Sequence, residues 1–253
     1  MKFRFALFVM CVLAALVPAA FADEHAHFDV SPVLIDGKIA TEGITHMVGG
    51  QRWWSPARRV FEYEFGEDPL FPRRSDDPGI NREPGTVALD PDGNSVVLGS
   101  TGLPAGSILY ITFTDDLRYW TGDGFGPVPG GETLTFTFGD TRTVGTGTGR
   151  LDPLPIHLFG SDSLHYHLVA TLYGPPGNPS SPAPGVYLVS AVLESSSPGV
   201  EQSDTFWMVY GYQASEEDHQ AAAAWVEANL VPEPGIVATI WFLGMFMLRR
   251  RGR

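Results

Sequence analysis

Short runs in which apolar and polar residues alternate, separated by turns rich in glycine and proline, constrain this chain more than any other feature. In residues 133–138 the apolar side chains fall on one face and the threonines on the other, a period that is typical of an antiparallel strand with one buried face. Residues 108–114 repeat this pattern, and residues 185–193 are apolar on both faces, as in a central strand. Short strands at this spacing predict an all-β fold, an antiparallel β-sandwich.

Composition agrees with this prediction. The chain has 29 glycines and 21 prolines among 253 residues, and both residue types interrupt helices. They follow no period, which excludes collagen. One helix is nevertheless indicated, over residues 215–230. Ser215 followed by three acidic residues resembles a capping box, the acids suit the positive end of a helix, and four alanines follow. We expect this C-terminal α-helix to close a domain spanning residues 23–230.

The N-terminal residues 1–22 have the three parts of a secretory signal peptide. A short basic start precedes an unbroken apolar stretch from Phe5 to Val17, and Ala20–Ala22 fits a small-x-small cleavage site. The alternative is an uncleaved membrane anchor. The single cysteine, Cys11, lies inside this segment. The mature chain would therefore contain no thiol, which excludes disulfides and cysteine-ligated zinc.

The C-terminal residues 231–253 contain a second targeting pattern. Val231, Pro232, Glu233 and Pro234 precede an uncharged apolar stretch and a cluster of four arginines. This arrangement resembles the PEP-CTERM sorting tail. The resemblance implies an exosortase-type processing enzyme as partner, contact with the inner membrane through a hydrophobic sorting helix, and a body exported to the cell envelope. The apolar stretch is shorter than the roughly 20 residues that span a bilayer, and an ordinary C-terminal anchor is the alternative.

The charge of the chain restricts its partners. The formal net charge is −13, and residues 5–248 hold 10 of the 16 basic residues and all 29 acidic ones, which gives that region −19. Nucleic-acid binding needs a basic surface for the phosphates, so we expect no nucleic-acid partner. A body of this charge attracts cations.

Two His-x-His pairs predict a metal site, His25 with His27 and His165 with His167. Residues i and i+2 of a strand point to the same side, about 6.6 Å apart. If the two pairs lie on neighbouring strands, they supply up to four imidazole nitrogens, which suits tetrahedral zinc. Asp29 continues the first pattern, as a further ligand or as a hydrogen-bond acceptor for an imidazole. The alternative is a solvated N-terminal tract and a pair of half-buried histidines. Zinc affinity should fall below about pH 6.5, because protonated histidine cannot ligate.

Other polar and aromatic groups suggest weaker alternatives. Glu62 and Glu64 share a strand face, and paired carboxylates hydrolyse glycosides, although such a pair is more often a solvated face. Trp53, Trp54 and Trp120 could stack on sugar rings. No motif joins a nucleophile to its base, so we predict a non-enzymatic protein. The alternative function is a structural or adhesive envelope protein that contacts extracellular polysaccharide.

A further set of segments runs from the mature N-terminus to the tail. They are His25, His27, Asp36–Ile39, Val60–Gly66, Asp77–Ile80, Tyr119–Trp120, Gly130–Leu134, His165–His167, Gly185–Tyr187, Ser203–Trp207 and Glu216–Leu230. Together these segments resemble one family, the PEP-CTERM proteins named for repression by the zinc-uptake regulator. The resemblance implies a link to zinc through gene regulation, and a protein used when zinc is scarce, with the biochemical role of the family undefined.

Overall fold

The structure is a computed structural model that describes residues 27–45, 50–158 and 163–232. The described residues form mainly strands, with one helix near their C-terminal end. In chain order the elements are β1 (Phe28–Ile35), β2 (Lys38–Thr45), β3 (Trp54–Ser55), β4 (Val60–Glu64), β5 (Arg74–Ser75), β6 (Gly79–Arg82), β7 (Val87–Leu89), β8 (Ser95–Val97), β9 (Ile108–Phe113), β10 (Arg118–Trp120), β11 (Phe125–Pro127), β12 (Thr133–Phe138), β13 (Asp140–Val144), β14 (Leu154–Leu158), β15 (Leu164–His167), β16 (Val169–Tyr173), β17 (Gly185–Ser195), β18 (Phe206–Tyr212) and α1 (Glu216–Asn229).

The largest sheet is built around β17. Its strand order is β11-β10-β17-β18-β4, and β9 pairs with the far part of β17 and carries β14 at its other edge. Alternate residues of β17 and β18 enter two different cores. Tyr187 and Tyr210 face the main core, whereas Leu188 and Val209 face a second core beneath α1. The expectation that residues 185–193 form a central strand, apolar on both faces, is therefore confirmed.

Two smaller sheets contribute to the main core and give the molecule a sandwich-like architecture. One has the order β13-β12-β16-β5, and the other has the order β15-β6-β1-β2-β3. Phe136 of β12 stacks on Phe113 of the large sheet with ring centroids 4.3 Å apart. Val30 and Ile80 bring the other small sheet into the same apolar cluster. Burial of these side chains is the main force that holds the layers together.

The C-terminal helix forms as the sequence predicts. The hydroxyl oxygen of Ser215 accepts a hydrogen bond from the backbone N–H of Asp218, 3.1 Å away. Such a cap satisfies one of the N–H groups left over at a helix start. The helix buries Ala222, Ala223 and Val226 against the large sheet. The observed range of Glu216–Asn229 matches the predicted 215–230 within one residue at each end.

Strand orientation differs in two places from a purely antiparallel sandwich. β1 runs parallel to β6, with Val30 opposite Ile80, and β18 runs parallel to β4, with Trp207 opposite Val60. Both pairs join segments that are far apart along the chain, where no tight hairpin dictates direction. The period of apolar residues reports which face is buried and carries no information about strand direction.

The predicted targeting segments lie largely outside the described residues. Residues 1–26, with the predicted signal peptide and His25, are not among them, and neither are residues 233–253, with Glu233, Pro234 and the apolar tail. Val231 and Pro232 follow Leu230, the residue that caps the C-terminal end of α1. Within the part of the chain that the structure describes, no helix has the length and apolar character needed to cross a bilayer.

Candidate metal centre

Asp29, His165 and His167 come together on one face of the sheet β15-β6-β1. One ligand atom from each lies within 4.8 Å of the other two. The Nε2 atoms of the two histidines are 3.1 Å apart, and Nε2 of His165 is 4.0 Å from Oδ2 of Asp29. Two nitrogens bound to one tetrahedral zinc lie about 3.3 Å apart, because Zn–N is near 2.0–2.1 Å. The imidazoles are therefore spaced nearly as a zinc ion would require.

Gly79 leaves the space in which these three side chains approach one another. It lies on β6, between the strand that carries Asp29 and the strand that carries the histidines, directly opposite His167 in the β15–β6 register. A Cβ atom at this position would lie 2.0 Å from Oδ1 of Asp29 and 3.0 Å from Cε1 of His167. Any other residue would fill the space into which the two flanking side chains project. The absence of a side chain at this one position of the middle strand thus leaves the space for the site.

The backbone orients His167. Its Nδ1–H donates to the carbonyl of Asp76 across 2.8 Å. This bond selects the tautomer in which Nε2 carries the lone pair, and Nε2 is the atom that faces His165. Nδ1 of His165 lies 3.8 Å from Oε1 of Glu83. A carbonyl or carboxylate behind each ligating imidazole is the usual arrangement at metal sites in proteins.

Asp29 is fully buried and is held by Asn81. The Nδ2 group of Asn81 donates to Oδ2 of Asp29 across 3.0 Å. Asn81 is itself fully buried, and within the described residues its Oδ1 atom accepts no hydrogen bond. An unsatisfied buried acceptor costs about 1–3 kcal/mol, and an amide oxygen is a ligand for cations. The side chains of His165 and His167 are about one-third exposed, so an ion could enter from the solvent.

A second group, formed by His27, Glu67 and Asp77, also places ligand atoms within 4.8 Å of one another. Nδ1–H of His27 donates to the carbonyl of Glu62 across 3.0 Å, and Nε2 lies 2.5 Å from Oε1 of Glu67. Burial opposes protonation of His27. The hydrogen bonds to Glu67 and Glu62, with the charges of Asp77 and Glu67, outweigh it and raise the pKa of His27 to about 9.

Asp77 connects the two groups. Its Oδ1 lies 3.8 Å from Nδ1 of His167, and this is its only ion pair within the described residues. The residue is 8% exposed. Burial is the main cause that raises the pKa of Asp77, and the charge of Asp29 raises it further, while His27 and His167 lower it. The carboxylate of Asp77 therefore faces imidazoles of both groups.

The structure brings together some of the predicted ligands. His165 and His167 meet as expected, with Asp29, the residue that the sequence offered as a ligand or acceptor. His27 lies in the adjacent group, and His25 lies outside the described residues. Sequence analysis did not place Glu67 or Asp77 at the site, because only the pairing of β6 between β1 and β15 reveals which residues are neighbours. The aspartates next to a Pro-Gly pair were the available sign of a polar site.

The carboxylates considered for glycoside chemistry have structural partners. Glu64 lies 2.5 Å from Nδ1 of His219 on α1, and Glu62 lies 3.6 Å from Nη2 of Arg58. The helix packs on this part of β4. α1 covers this face of β4 in part, and the side chains of Glu62 and Glu64 stay 39% and 26% exposed.

The tryptophans considered for sugar stacking are also engaged. Trp120 is buried in the core beneath α1. Nε1 of Trp54 donates to Glu42 across 2.8 Å, and Trp53 forms an isolated parallel bridge with Leu89. None of these contacts leads to a sugar-binding platform built from all three rings.

Comparison with known proteins does not assign the chain to a family. No protein-family model matches it, and neither a curated protein nor a solved structure matches it. Function must therefore be inferred from the chemistry of the site itself.

Proposed function

We propose that this protein is an exported, non-enzymatic envelope protein that binds a divalent metal ion, preferably zinc, through Asp29, His165 and His167. The observation that supports the proposal is the convergence of these three side chains over Gly79. The buried amide oxygen of Asn81, the oriented imidazole of His167 and an open solvent side accompany it. His25 stays a predicted additional ligand.

The ligand types favour zinc over the abundant alkaline-earth ions. Two imidazole nitrogens and one carboxylate oxygen suit Zn²⁺, whereas Mg²⁺ and Ca²⁺ prefer oxygen ligands. The same set with open positions also suits Fe²⁺, so a competition titration between the two ions belongs to the test. The resemblance to the zinc-regulated family adds a reason to expect zinc.

Export and sorting are inferred from the sequence of the two ends. The predicted signal peptide would direct the chain across the inner membrane, and the tail would be bound and processed by an exosortase-type enzyme. Helix α1 ends at Asn229, and Val231 and Pro232 of the tail motif follow within three residues. The processing enzyme would thus act immediately beside a folded domain.

Zinc titration of the full chain tests the proposal. The metal-free protein is titrated in a calorimeter beside a His165→Gln/His167→Gln variant and a His157→Gln control. His157 lies 3.1 Å from the hydroxyl of Tyr166 and belongs to neither metal group. We expect the double variant to bind one zinc ion fewer per chain than the wild type, and the control to bind the same number. Equal stoichiometry and heats in all three proteins would refute the site.

Contact with extracellular polysaccharide is the alternative function. It requires an exposed aromatic platform, and the engaged tryptophans described above do not favour it. A glycan-array screen separates the two functions. Specific glycan binding by a protein that retains no zinc would replace the metal proposal.

A further inference from the structure

We propose that His27, Glu67 and Asp77 form a second divalent-cation site beside the first, so that each chain binds two zinc ions, the second of them behind the ring of His167. The proposed function requires one ion only, and the second site depends on different side chains. The two proposals can therefore fail separately.

The ring of His27 is held in an orientation that suits a metal ligand. Its Nδ1–H donates to the carbonyl of Glu62, which in the neutral ring leaves the lone pair on Nε2. Nε2 lies 2.5 Å from Oε1 of Glu67. The ring is held further by stacking on Tyr63, with centroids 6.1 Å apart and planes 23° apart. Backbone and aromatic contacts thus fix the ring and direct one nitrogen at the carboxylates.

The two groups are adjacent because of the start of β1. His27 directly precedes this strand and Asp29 is its second residue, so two positions of one segment serve the two groups. Asp77 is close enough to His27 to belong to its group and is 3.8 Å from the ring of His167. The nitrogen of His167 nearest to Asp77 is Nδ1, whereas Nε2 faces the first site, so Asp77 would ligate the second ion from behind the His167 ring.

Burial gives a reason for a positive ion in this place. Asp29 is fully buried and Asp77 is 8% exposed, so two carboxylates are withdrawn from water near each other. Glu67 and Asp77 each lie within ion-pair distance of an imidazole. A bound dication would place two positive charges beside these carboxylates, in exchange for the proton that His27 and Glu67 share.

The ligand sets of the two sites differ. The first offers two nitrogens and one carboxylate, whereas the second offers one nitrogen and two carboxylates. Oxygen-rich sites discriminate less strongly in favour of zinc. We therefore expect the second zinc ion to bind more weakly than the first, by about tenfold or more, and Mn²⁺ to displace it more readily.

Counting bound zinc by equilibrium dialysis of the full chain tests the second site. The key variant is Glu67→Gln, because the side chain of Glu67 is 53% exposed and we expect the fold to tolerate its replacement. Asp68→Asn is the matched control, since it removes one carboxylate from the next residue. The wild type is expected to bind two ions, Glu67→Gln one, His165→Gln/His167→Gln one and Asp68→Asn two. Circular dichroism melting curves check that each variant is folded.

The outcomes separate the two proposals. One ion in the wild type that is lost in the double histidine variant and kept in Glu67→Gln overturns the second site and leaves the proposed function intact. One ion that is lost in Glu67→Gln and kept in the double variant overturns the first site and retains the second. Two ions in Glu67→Gln also overturn the second site, and no bound zinc in the wild type overturns both.

Discussion

Replacement of Gly79 by alanine should disable the first metal site while leaving every ligand in the sequence. The added Cβ would lie 2.0 Å from Oδ1 of Asp29, where ordinary contact begins at 3.4 Å. The carboxylate must therefore move by more than 1 Å or the strands must separate. Such overpacking costs about 1–3 kcal/mol of folding free energy.

The effect on zinc binding should be larger than the effect on folding. Loss of an outer-shell partner weakens metal binding about 10–100-fold, and displacement of Asp29 removes a ligand itself. We therefore expect at least about 100-fold weaker binding at this site, which corresponds to about 2.8 kcal/mol. The variant should stay folded, because its apolar core is unchanged.

Competition with a chromophoric chelator measures this change on the full chain. Gly99→Ala is the matched control, since its Cβ would have no atom within 4 Å and its backbone is not in the left-handed region. Melting curves establish the temperature at which both variants are folded. If Gly79→Ala binds zinc as tightly as the wild type, then Asp29 is not a ligand and the open strand is not what creates the site.

Three further predictions concern the fold. Burial opposes protonation of His219, but Glu64 and a backbone carbonyl outweigh burial and raise the pKa of His219. His219→Gln should therefore cost about 1.5–3 kcal/mol of folding free energy below pH 6.5, and this loss should shrink as pH rises through the folded-state pKa. A difference in urea unfolding that does not depend on pH would contradict this. Glu42 forms a buried ion pair with Arg82, so Glu42→Gln should cost about 3–5 kcal/mol in urea unfolding, and a cost below about 1 kcal/mol would show that the pair is solvated. Phe136→Ala should cost about 3–5 kcal/mol, because the ring is fully buried; a smaller change in thermal or urea unfolding would mean that the core closes over the cavity.

The sequence predicted those parts of the fold that depend on local patterns. Alternation in residues 133–138 identified a strand that buries Leu134 and Phe136, and the residues after Ser215 identified the helix. Both patterns follow from short-range geometry, the period of a strand and the unpaired N–H groups of a helix start. The parallel pairings escaped prediction, because partners distant in sequence carry no mark of direction.

The histidines of the candidate site could also be predicted from a local pattern. The spacing of His165 and His167 places both on one side of a strand, which sequence alone indicates. The sequence leaves two roles open for Asp29, a ligand or a hydrogen-bond acceptor. Only the register of the three strands, with Gly79 in the middle one, shows that Asp29 lies beside these histidines. Asp77 lies in the segment between β5 and β6, and its position between two imidazoles depends on the folded sheet.

If the proposed site binds zinc, the placement of Gly79 makes ion capture depend on the strand register. Neighbouring positions on β6 have opposite orientations, since Ile80 enters the apolar core. A slip of β15 by one residue would set Tyr166 across from the glycine and turn both imidazoles to the other surface. A chain that is still unfolded would hold no ion until Asp29 and the histidines, more than a hundred residues apart, had aligned. Retention of zinc would then report, in a single measurement, that this sheet has assembled correctly.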